Sequence, residues 1–195
     1  MKAFFKGVFM FDGIVLAGGY SSRFKQNKMC VKYHGKALIL YAIEGMHKFC
    51  KNVIVVTGYY HQEICECLKG IDYVKIILNK DFSEGMFSSV KAGVNHVEHD
   101  FFIIPGDYPF ISDDVYKKLI DSDGLIRVPS YNKRLGHPIF MSKQLKDDLI
   151  MTEVDNLKDF RNLNEYKIVE VDSDSILKDI DTVEDLFNNN DSGKE

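Results

Sequence analysis

The chain lacks the features that mark nucleic-acid-binding, membrane-spanning and zinc-stapled proteins. Its formal net charge is -4, whereas non-specific nucleic-acid binding needs an excess of cations. No apolar run reaches the roughly 18 residues that a membrane span requires. Its four cysteines include no pair with the two-residue gap of a zinc knuckle. We therefore expect a cytoplasmic protein with reduced thiols that binds neither nucleic acid nor a membrane.

Two common phosphate-binding motifs are also missing. Neither G-x-x-x-x-G-K-[ST] nor G-x-G-x-x-G occurs, so neither a Walker-A kinase nor a dinucleotide-binding site is supported. We expect one domain over residues 1–195, with residues 1–11 as an N-terminal extension and residues 188–195 as a frayed tail. The opening segment is basic and apolar but has no small-residue cleavage site. It therefore predicts an extension and not a signal peptide, with Met10 as an alternative start.

Apolar runs of strand length alternate with helical patterns along most of the chain. This alternation predicts βαβ units, a mostly parallel but mixed sheet, and an α/β fold. Ser142 is expected to cap the helix that follows it, and Thr182 with Asp185 to form a capping box. The predicted strands are Gly13–Ala17, Asn52–Thr57, Tyr73–Leu78, Phe101–Pro105, Leu125–Pro129, Pro138–Met141 and Tyr166–Val171. The predicted helices are Leu38–Phe49, Gln62–Lys69, Phe87–Val97, Asp113–Asp121, Lys143–Ile150, Leu157–Leu163 and Val183–Asn189.

The first strand is followed by an unusual loop, "AGGYSSRFKQNK". Glycines after a strand let the backbone approach a ligand closely, and free amides in such a loop bind phosphate oxygens. Ser21, Ser22, Arg23 and Lys28 add donors and positive charge that suit a phosphate group. A solvated basic loop is the alternative that composition alone leaves open.

Three more strand ends carry polar motifs. "NKDFSEGMFSSVKAG" leads into a helix N-terminus, which attracts anions. "PGDYPF" sets Asp107 directly behind a buried strand, where a carboxylate commonly binds Mg²⁺. In "DIDTVEDL", Asp179 and Asp181 face the same side of an extended segment. Each motif also has a plain structural interpretation: a capped helix, a turn aspartate and a helix start. Because ligands of open α/β sheets bind at the carboxyl ends of the strands, we expect the four motifs to meet.

Taken together, these motifs resemble those of the MobA-like nucleotidyltransferases. "LAGGYSSR", "GMFSSVKAG", "PGDYPF", "GHPIF" and "DIDTVEDL" stand in the family's order, between about Gly13 and Phe187. The resemblance implies a Rossmann-like three-layer sandwich of the nucleotide-diphospho-sugar transferase type. It also implies transfer of a nucleoside monophosphate from a nucleoside triphosphate to a phosphate-bearing acceptor, with Mg²⁺ as cofactor. Molybdopterin is the expected acceptor, and a molybdoenzyme or its maturation factor is the expected later partner.

The resemblance also assigns roles by position. Arg23, Lys28 and Asp107 would carry catalysis. Asp107 would bind the metal, with Asp179 or Asp181 as the second carboxylate. Gly136, His137 and Pro138 would bind the acceptor. The residues that would bind the nucleotide are Leu16, Ala17, Gly18, Gly19, Ser21, Ser22, Arg23, Lys28, Asn79, Gly85, Ser89 and Gly106.

Three positions depart from the family pattern. Lys25 stands where the family usually has glycine, and Val183 replaces a proline that usually opens the last helix. Gly18 resembles the guanylyl branch, whereas "GMFSSVKAG" and "GHPIF" favour the cytidylyl branch, so CMP is preferred over GMP. One alternative is transfer to a sugar phosphate or an alcohol phosphate. Another is a non-catalytic module that binds a nucleotide or chaperones a cofactor, with Lys25 marking a damaged loop.

Overall fold

The structure is a computed structural model that describes residues 11–22, 24 and 26–188, with the backbone alone given for residues 183, 187 and 188. Arg23, Lys25 and most of the predicted extension and tail lie outside these residues. Two boundary residues differ from expectation. Phe11, assigned to the extension, opens the first strand, because it pairs with Asp100 and its ring packs 6.0 Å from that of Phe102. Asn188, assigned to the tail, ends the last helix.

The helices and strands follow the predicted alternation. All seven predicted strands form, with ends that differ by at most two residues, and the predicted helices differ by at most three. The strands are β1 (Phe11–Ala17), β2 (Lys32–Tyr33), β3 (Lys36–Ala37), β4 (Asn52–Thr57), β5 (Val74–Leu78), β6 (Asp100–Pro105), β7 (Ile126–Tyr131), β8 (Arg134–Leu135), β9 (Ile139–Met141) and β10 (Lys167–Glu170). The α-helices are α1 (Leu38–His47), α2 (His61–Cys67), α3 (Met86–Val94), α4 (Asp113–Ile120), α5 (Lys146–Met151), α6 (Leu157–Asn162) and α7 (Val183–Asn188).

The main sheet is mixed, as the sequence predicts. Its strands run in the order β10-β7-β9-β6-β1-β4-β5, with β8 beside β7. Among the described strands of this sheet, β8 and β9 run antiparallel to their neighbours, and β2 and β3 form a separate antiparallel pair. The short strands missed by the sequence patterns are β2, β3 and β8, each of two residues. A tight turn joins β7 to β8, in which Asn132 and Lys133 both have positive φ, of 49° and 64°.

Helices cover both faces of this sheet and make a three-layer sandwich. Alternate residues of β1 enter opposite clusters: Val15 packs with residues of α1, α2 and α4, whereas Ile14 packs with residues of α3, α5 and α6. The same alternation occurs in β4 and β6, as the two-residue period of a strand requires. Apolar burial on both faces fixes the register of the central strands. The predicted Rossmann-like α/β class is confirmed.

The predicted caps are present. Ser142 Oγ accepts a hydrogen bond from Gln144 N at 3.4 Å, at the start of a 3₁₀ turn that leads into α5. Thr182 and Asp185 form the expected capping box, with Thr182 N to Asp185 Oδ2 at 2.7 Å and Asp185 N to Thr182 Oγ1 at 3.2 Å. None of the described helices has the length and apolarity that crossing a lipid bilayer would require.

Candidate active site

The sheet topology brings the first and third polar motifs together. The chain leaves β1 for β4 on one side and returns to β6 on the other, so a topological switch point lies between β1 and β6. Gly106 N donates a hydrogen bond to Leu16 O at 2.8 Å, which fixes the two strand ends side by side. Asp107 therefore stands next to the glycine loop that follows β1.

The loop after β1 is held by its own polar groups. Ser21 has a left-handed φ of 48°, and its hydroxyl accepts a hydrogen bond from Lys28 N at 3.3 Å. Asn27 caps the short 3₁₀ helix Lys28–Cys30 by accepting from Met29 N at 3.1 Å, and the Met29 side chain is buried. These contacts fix the backbone from which the Lys28 side chain extends.

Lys28 joins three segments that are distant in sequence. Its Nζ donates to Asp107 Oδ2 at 2.6 Å, although the two residues are 79 positions apart. The same Nζ donates to Asp181 Oδ1 at 3.0 Å and to Ile180 O at 3.3 Å. Ile180 N in turn donates to Asp107 O at 2.9 Å, so the last motif is tied directly to the end of β6.

Asp107, Asp179 and Asp181 form an acidic cluster. Each offers a carboxylate oxygen, and the three oxygens lie within 4.8 Å of one another. Asp107 Oδ1 is buried and has no hydrogen-bond partner among the described residues. A buried carboxylate oxygen without a donor beside two more carboxylates has the donor set of a hard divalent cation. The residues therefore fit the metal ion that the sequence predicts.

Charge and burial shift the pKa of several groups around this cluster. Burial of the Lys28 ammonium works against its charge, but attraction and hydrogen bonding to Asp107 and Asp181 outweigh it, so the pKa of Lys28 is raised. Burial, helped by repulsion from the other two aspartates, raises the pKa of Asp179. Burial, together with the negative charge of Asp179, Asp107 and Asp181, raises the pKa of Tyr108 to about 12. The cluster thus carries concentrated negative charge that Lys28 only partly offsets.

A cavity of about 410 Å³ opens beside this cluster. The predicted residues that line it are Leu16, Gly18, Gly19, Ser21, Ser22, Lys28, Gly85, Ser89, Asp107 and Asp181. Gly85, with φ of 104°, precedes α3, so the free amides of the first turn of that helix face the same region. Cationic, amide and hydroxyl donors around one cavity suit a polyphosphate.

Three predicted nucleotide-binding residues support this cavity from outside its lining. Asn79 is buried, and its amide donates to Ser88 Oγ at 2.8 Å and to Ser89 Oγ at 3.0 Å. Ala17 points into the core on the opposite face of the sheet. Gly106 makes the hydrogen bond between the strand ends. Asn79 and Gly106 thus hold segments that line the cavity, whereas Ala17, predicted to bind the nucleotide, is part of the core.

Apart from Leu16, the sequence patterns missed the apolar part of the lining. Tyr20, Phe82 and Met86 line the cavity, and the Tyr20 and Phe82 rings lie 5.6 Å apart. Tyr20 is 50% exposed and Met86 is 64% exposed, although both are large apolar side chains. Exposed aromatic faces at a cavity mouth suit stacking of a ring. Their only signal in the sequence is their place next to the glycines of the two loops.

The segment "GHPIF" lies at a second cavity of about 300 Å³, which Gly136 and His137 line and Pro138 does not. Gly136 passes so close to Ile176 that a β-carbon would collide with its carbonyl oxygen. His137 N donates to that same carbonyl at 3.0 Å. Leu16 and Met86 line both cavities, so the predicted acceptor residues adjoin the nucleotide residues.

Comparison with known proteins gives the same family as the motifs. Residues 13–163 match the model of the MobA-like NTP transferase domain. The chain belongs to this family. It is 33% identical over 180 residues to the molybdenum cofactor cytidylyltransferase of Escherichia coli K12, which covers 90% of this chain and 93% of the relative.

The MobA-like assignment extends to a guanylyl relative and to a solved structure. A probable molybdenum cofactor guanylyltransferase of Thermococcus sibiricus is 31% identical over 133 residues, which is 65% of each chain. A crystal structure from Mycobacterium sp. strain JC1, of a homologue of Mycobacterium tuberculosis Rv0371c, has a TM-score of 0.78 at 25% identity. It covers 94% of this chain and 96% of its own. The protein is a nucleotidyltransferase of the MobA-like family.

Proposed function

We propose that this protein transfers CMP from CTP to the phosphate of molybdopterin or molybdenum cofactor and releases pyrophosphate. The observation that carries the proposal is the meeting of Lys28, Asp107 and Asp181 at the mouth of a cavity with phosphate-binding features. Four free cysteines fit a reducing compartment, so we place the reaction in the cytoplasm. The finished cofactor would pass to a molybdoenzyme or its maturation factor.

The preference for CTP comes from the relatives. The cytidylyl relative matches 90% of the chain, whereas the guanylyl relative matches 65%. Gly18, which resembles the guanylyl branch, has a local packing reason in this fold. A β-carbon at Gly18 would lie 2.9 Å from Ser89 Oγ, so glycine lets α3 approach the loop. We therefore give Gly18 little weight in the choice of base.

The proposed reaction is an in-line displacement. An oxygen of the acceptor phosphate forms a bond to the α-phosphorus as the bond from that phosphorus to the bridging oxygen breaks, and pyrophosphate leaves. An anionic acceptor needs no strong general base, so positioning and charge stabilisation account for catalysis. Lys28 and the α3 amides would bind the triphosphate, with Arg23 as a further predicted contact. His137 and Gly136 would bound the acceptor side.

Asp107, with Asp181 or Asp179, would hold a Mg²⁺ ion. When bound, the ion would offset negative charge that develops on the phosphate oxygens. Lys28 now supplies the positive charge between Asp107 and Asp181. With the ion in place, we expect the Lys28 ammonium to turn from the carboxylates toward the triphosphate. Two observations support a cation at this position: Asp107 Oδ1 is buried without a hydrogen-bond donor among the described residues, and the pKa of Asp179 is raised.

The test is a pyrophosphate-release screen over the four nucleoside triphosphates, with and without molybdopterin. We expect release that requires CTP, molybdopterin and Mg²⁺ together. Asp107→Asn should lower turnover at least about 100-fold without unfolding the protein, because a single electrostatic contact to the transition state contributes roughly 3 kcal/mol. Wild-type turnover in this variant at saturating Mg²⁺ would remove Asp107 from the metal site.

Other outcomes of the screen separate the alternatives. Release that needs a sugar phosphate or an alcohol phosphate in place of molybdopterin would identify a different acceptor. A melting temperature that rises with nucleotide, without any pyrophosphate release, would identify a binding module. Faster release from GTP than from CTP would reverse the choice of base.

A further inference from the structure

The second cavity has mostly apolar walls. It adjoins the nucleotide cavity through Leu16 and Met86, which line both. The other apolar side chains of its lining are Phe87, Val90, Ile103, Leu135, Ile139 and Leu157. A cavity of about 300 Å³ with such walls accommodates a compact ring system better than a sugar, whose hydroxyls would lose hydrogen bonds to water there.

One wall of this cavity is cationic. Lys158 and Arg161 both line it, three positions apart and therefore on the same side of α6. The sequence motifs gave these residues no role. α6 does not line the nucleotide cavity, so the two cations belong to the second cavity alone.

These two cations are not neutralised within the part of the chain that the structure describes. Neither Lys158 nor Arg161 forms an ion pair there. The Arg161 guanidinium lies over the Tyr166 ring, 4.8 Å from its centroid, and its N–H groups contact only the Asn162 side-chain oxygen, at 3.4 and 3.2 Å. Stacking on Tyr166 holds the guanidinium in place and leaves most of its donors available.

We propose that Lys158 and Arg161 bind an anionic group of the acceptor, and that the faces of its flat ring system pack against the apolar walls of the second cavity. The inference rests on the proposed function and adds the residues that select the acceptor. The charge of the two cations complements an anion, and the apolar lining complements a ring. An acceptor that offers both is favoured over a sugar phosphate, which offers only the charge.

The experiment measures binding without turnover, with neopterin monophosphate as the probe, whose ring fluoresces. The full chain is titrated in parallel with Lys158→Met, Arg161→Met and the double variant. We expect the double variant to bind the probe about tenfold more weakly or worse. Each substitution removes hydrogen bonds from a charged donor to the anionic group, and such bonds are roughly twice as strong as neutral ones. Arg161→Lys should recover part of the affinity. Binding by the wild-type protein should weaken with added NaCl more than binding by the double variant.

Lys51→Met is the matched control. Lys51 is an exposed cation that directly precedes the amino end of β4 and lines neither cavity, so its replacement should leave binding unchanged. Equal affinity of the double variant and the wild-type protein would overturn the inference. So would the absence of neopterin monophosphate binding, or its displacement by an equal concentration of ribose 5-phosphate. The proposed function fails in a different assay, since it requires pyrophosphate release and this titration does not.

Discussion

At the scale of single residues, Lys28 is the ion that keeps the acidic cluster together. Its side chain is 12% exposed and that of Asp107 is 17% exposed, so the pair is largely shielded from water. Removing one partner from a buried pair leaves the other charge uncompensated, which is far more destabilising than losing a surface pair. Lys28 therefore has a structural role in the free protein besides its proposed contact with the triphosphate.

We predict that Lys28→Met lowers the free energy of unfolding by about 2 kcal/mol in metal-free buffer, less than for a fully buried pair because the Asp181 side chain is 34% exposed. Added Mg²⁺ should restore part of this loss, because the ion can take the place of the ammonium between Asp107 and Asp181. Thermal melts with EDTA and with MgCl₂ measure both effects. Lys117→Met is the control, since Lys117 pairs with Asp114 on the surface and should change stability by less than about 1 kcal/mol. A loss that Mg²⁺ leaves unchanged in Lys28→Met would contradict a shared cation position.

His137 should make stability depend on pH in mildly acidic solution. Burial, only partly opposed by the nearby Asp107 carboxylate, lowers the pKa of His137 to about 4. Because the folded protein favours the neutral ring, stability is complete above the unfolded value of about 6.5 and is lost as pH falls toward 4. Because the residue as a whole is half-buried, the loss is on the order of 2 kcal/mol, below what the full shift would give.

Urea unfolding at pH 7 and pH 4.5 measures this contribution. We predict that His137→Gln is less stable than the wild-type protein at pH 7 but loses less stability on acidification. His34→Gln serves as control, because His34 is exposed in the turn between β2 and β3. Identical pH profiles of wild-type and His137→Gln would show that His137 does not titrate in this window.

Most of the candidate-site residues could be expected to lie together, because ligands of open α/β sheets bind where parallel strands end. Lys28, Asp107 and Asp181 come from three distant segments, and the shared edge of the sheet brings them together. What the sequence did not show was the ion pair between Lys28 and Asp107, since side-chain contacts depend on loop geometry. The sequence also did not predict that Tyr20 and Met86 are exposed, because large apolar side chains are usually buried.

At the scale of elements, α3 packs closely on the sheet and bounds the candidate nucleotide cavity. Gly93 faces the sheet, where an added β-carbon would lie 2.7 Å from Ile14 Cγ2 and 3.0 Å from Val56 Cγ2. Glycine therefore lets the helix pack closely on β1 and β4. Ser89, on the same helix, reaches the loop after β1 by virtue of this close packing.

Gly93→Ala is expected to push α3 away from the sheet. We predict a loss of roughly 1–3 kcal/mol from overpacking and a higher KM for the nucleoside triphosphate. Gly45→Ala is the matched control, because Gly45 lies inside α1 with no atom near the position of a β-carbon. That substitution should stabilise the protein by about 0.5–1 kcal/mol and leave KM unchanged. Stability and nucleotide KM are measured on both variants, and an unchanged KM in Gly93→Ala would show that α3 does not position the nucleotide.

The sequence placed α6 correctly but assigned it no function. The helical sequence pattern identified α6. The cationic wall of the second cavity, in contrast, depends on the tertiary arrangement that places α6 at the same cavity as α3 and "GHPIF". The bounds of the central strands were easier to predict, since burial on both faces leaves a continuous apolar run. Strands of two residues, such as β2 and β8, carry too little pattern to be recognised.

At the scale of the whole molecule, the proposed function requires an acidic protein to bind two anionic substrates. The net charge is -4, yet Lys28, Lys158 and Arg161 are gathered at the two adjoining cavities. Local cations in a cleft can attract anions even when the total charge is negative, since nearby charges dominate at physiological ionic strength. The acidic cluster would repel a free triphosphate, so a divalent cation should be required for tight binding.

This requirement predicts how ligands change the stability of the folded chain. A ligand at a hundred times its Kd adds about 2.7 kcal/mol to the free energy of unfolding. For a chain of 195 residues, that corresponds to a rise in Tm of about 5–10 °C. We expect this rise with CTP and MgCl₂ together, a smaller one with GTP and MgCl₂, and almost none with either nucleotide in EDTA.

Asp107→Asn distinguishes the contribution of the metal ion to the rise in Tm from that of the nucleotide, in the same thermal melts. Because the variant keeps the glycine loop and Lys28 but loses one carboxylate of the cluster, its Tm should rise less with CTP and MgCl₂ than that of the wild-type protein. The difference should shrink in EDTA, where neither protein has the ion. A Tm that rises as much with CTP in EDTA as with CTP and MgCl₂ would show that the acidic cluster repels the triphosphate too weakly to matter, and that Lys28 alone suffices to bind it.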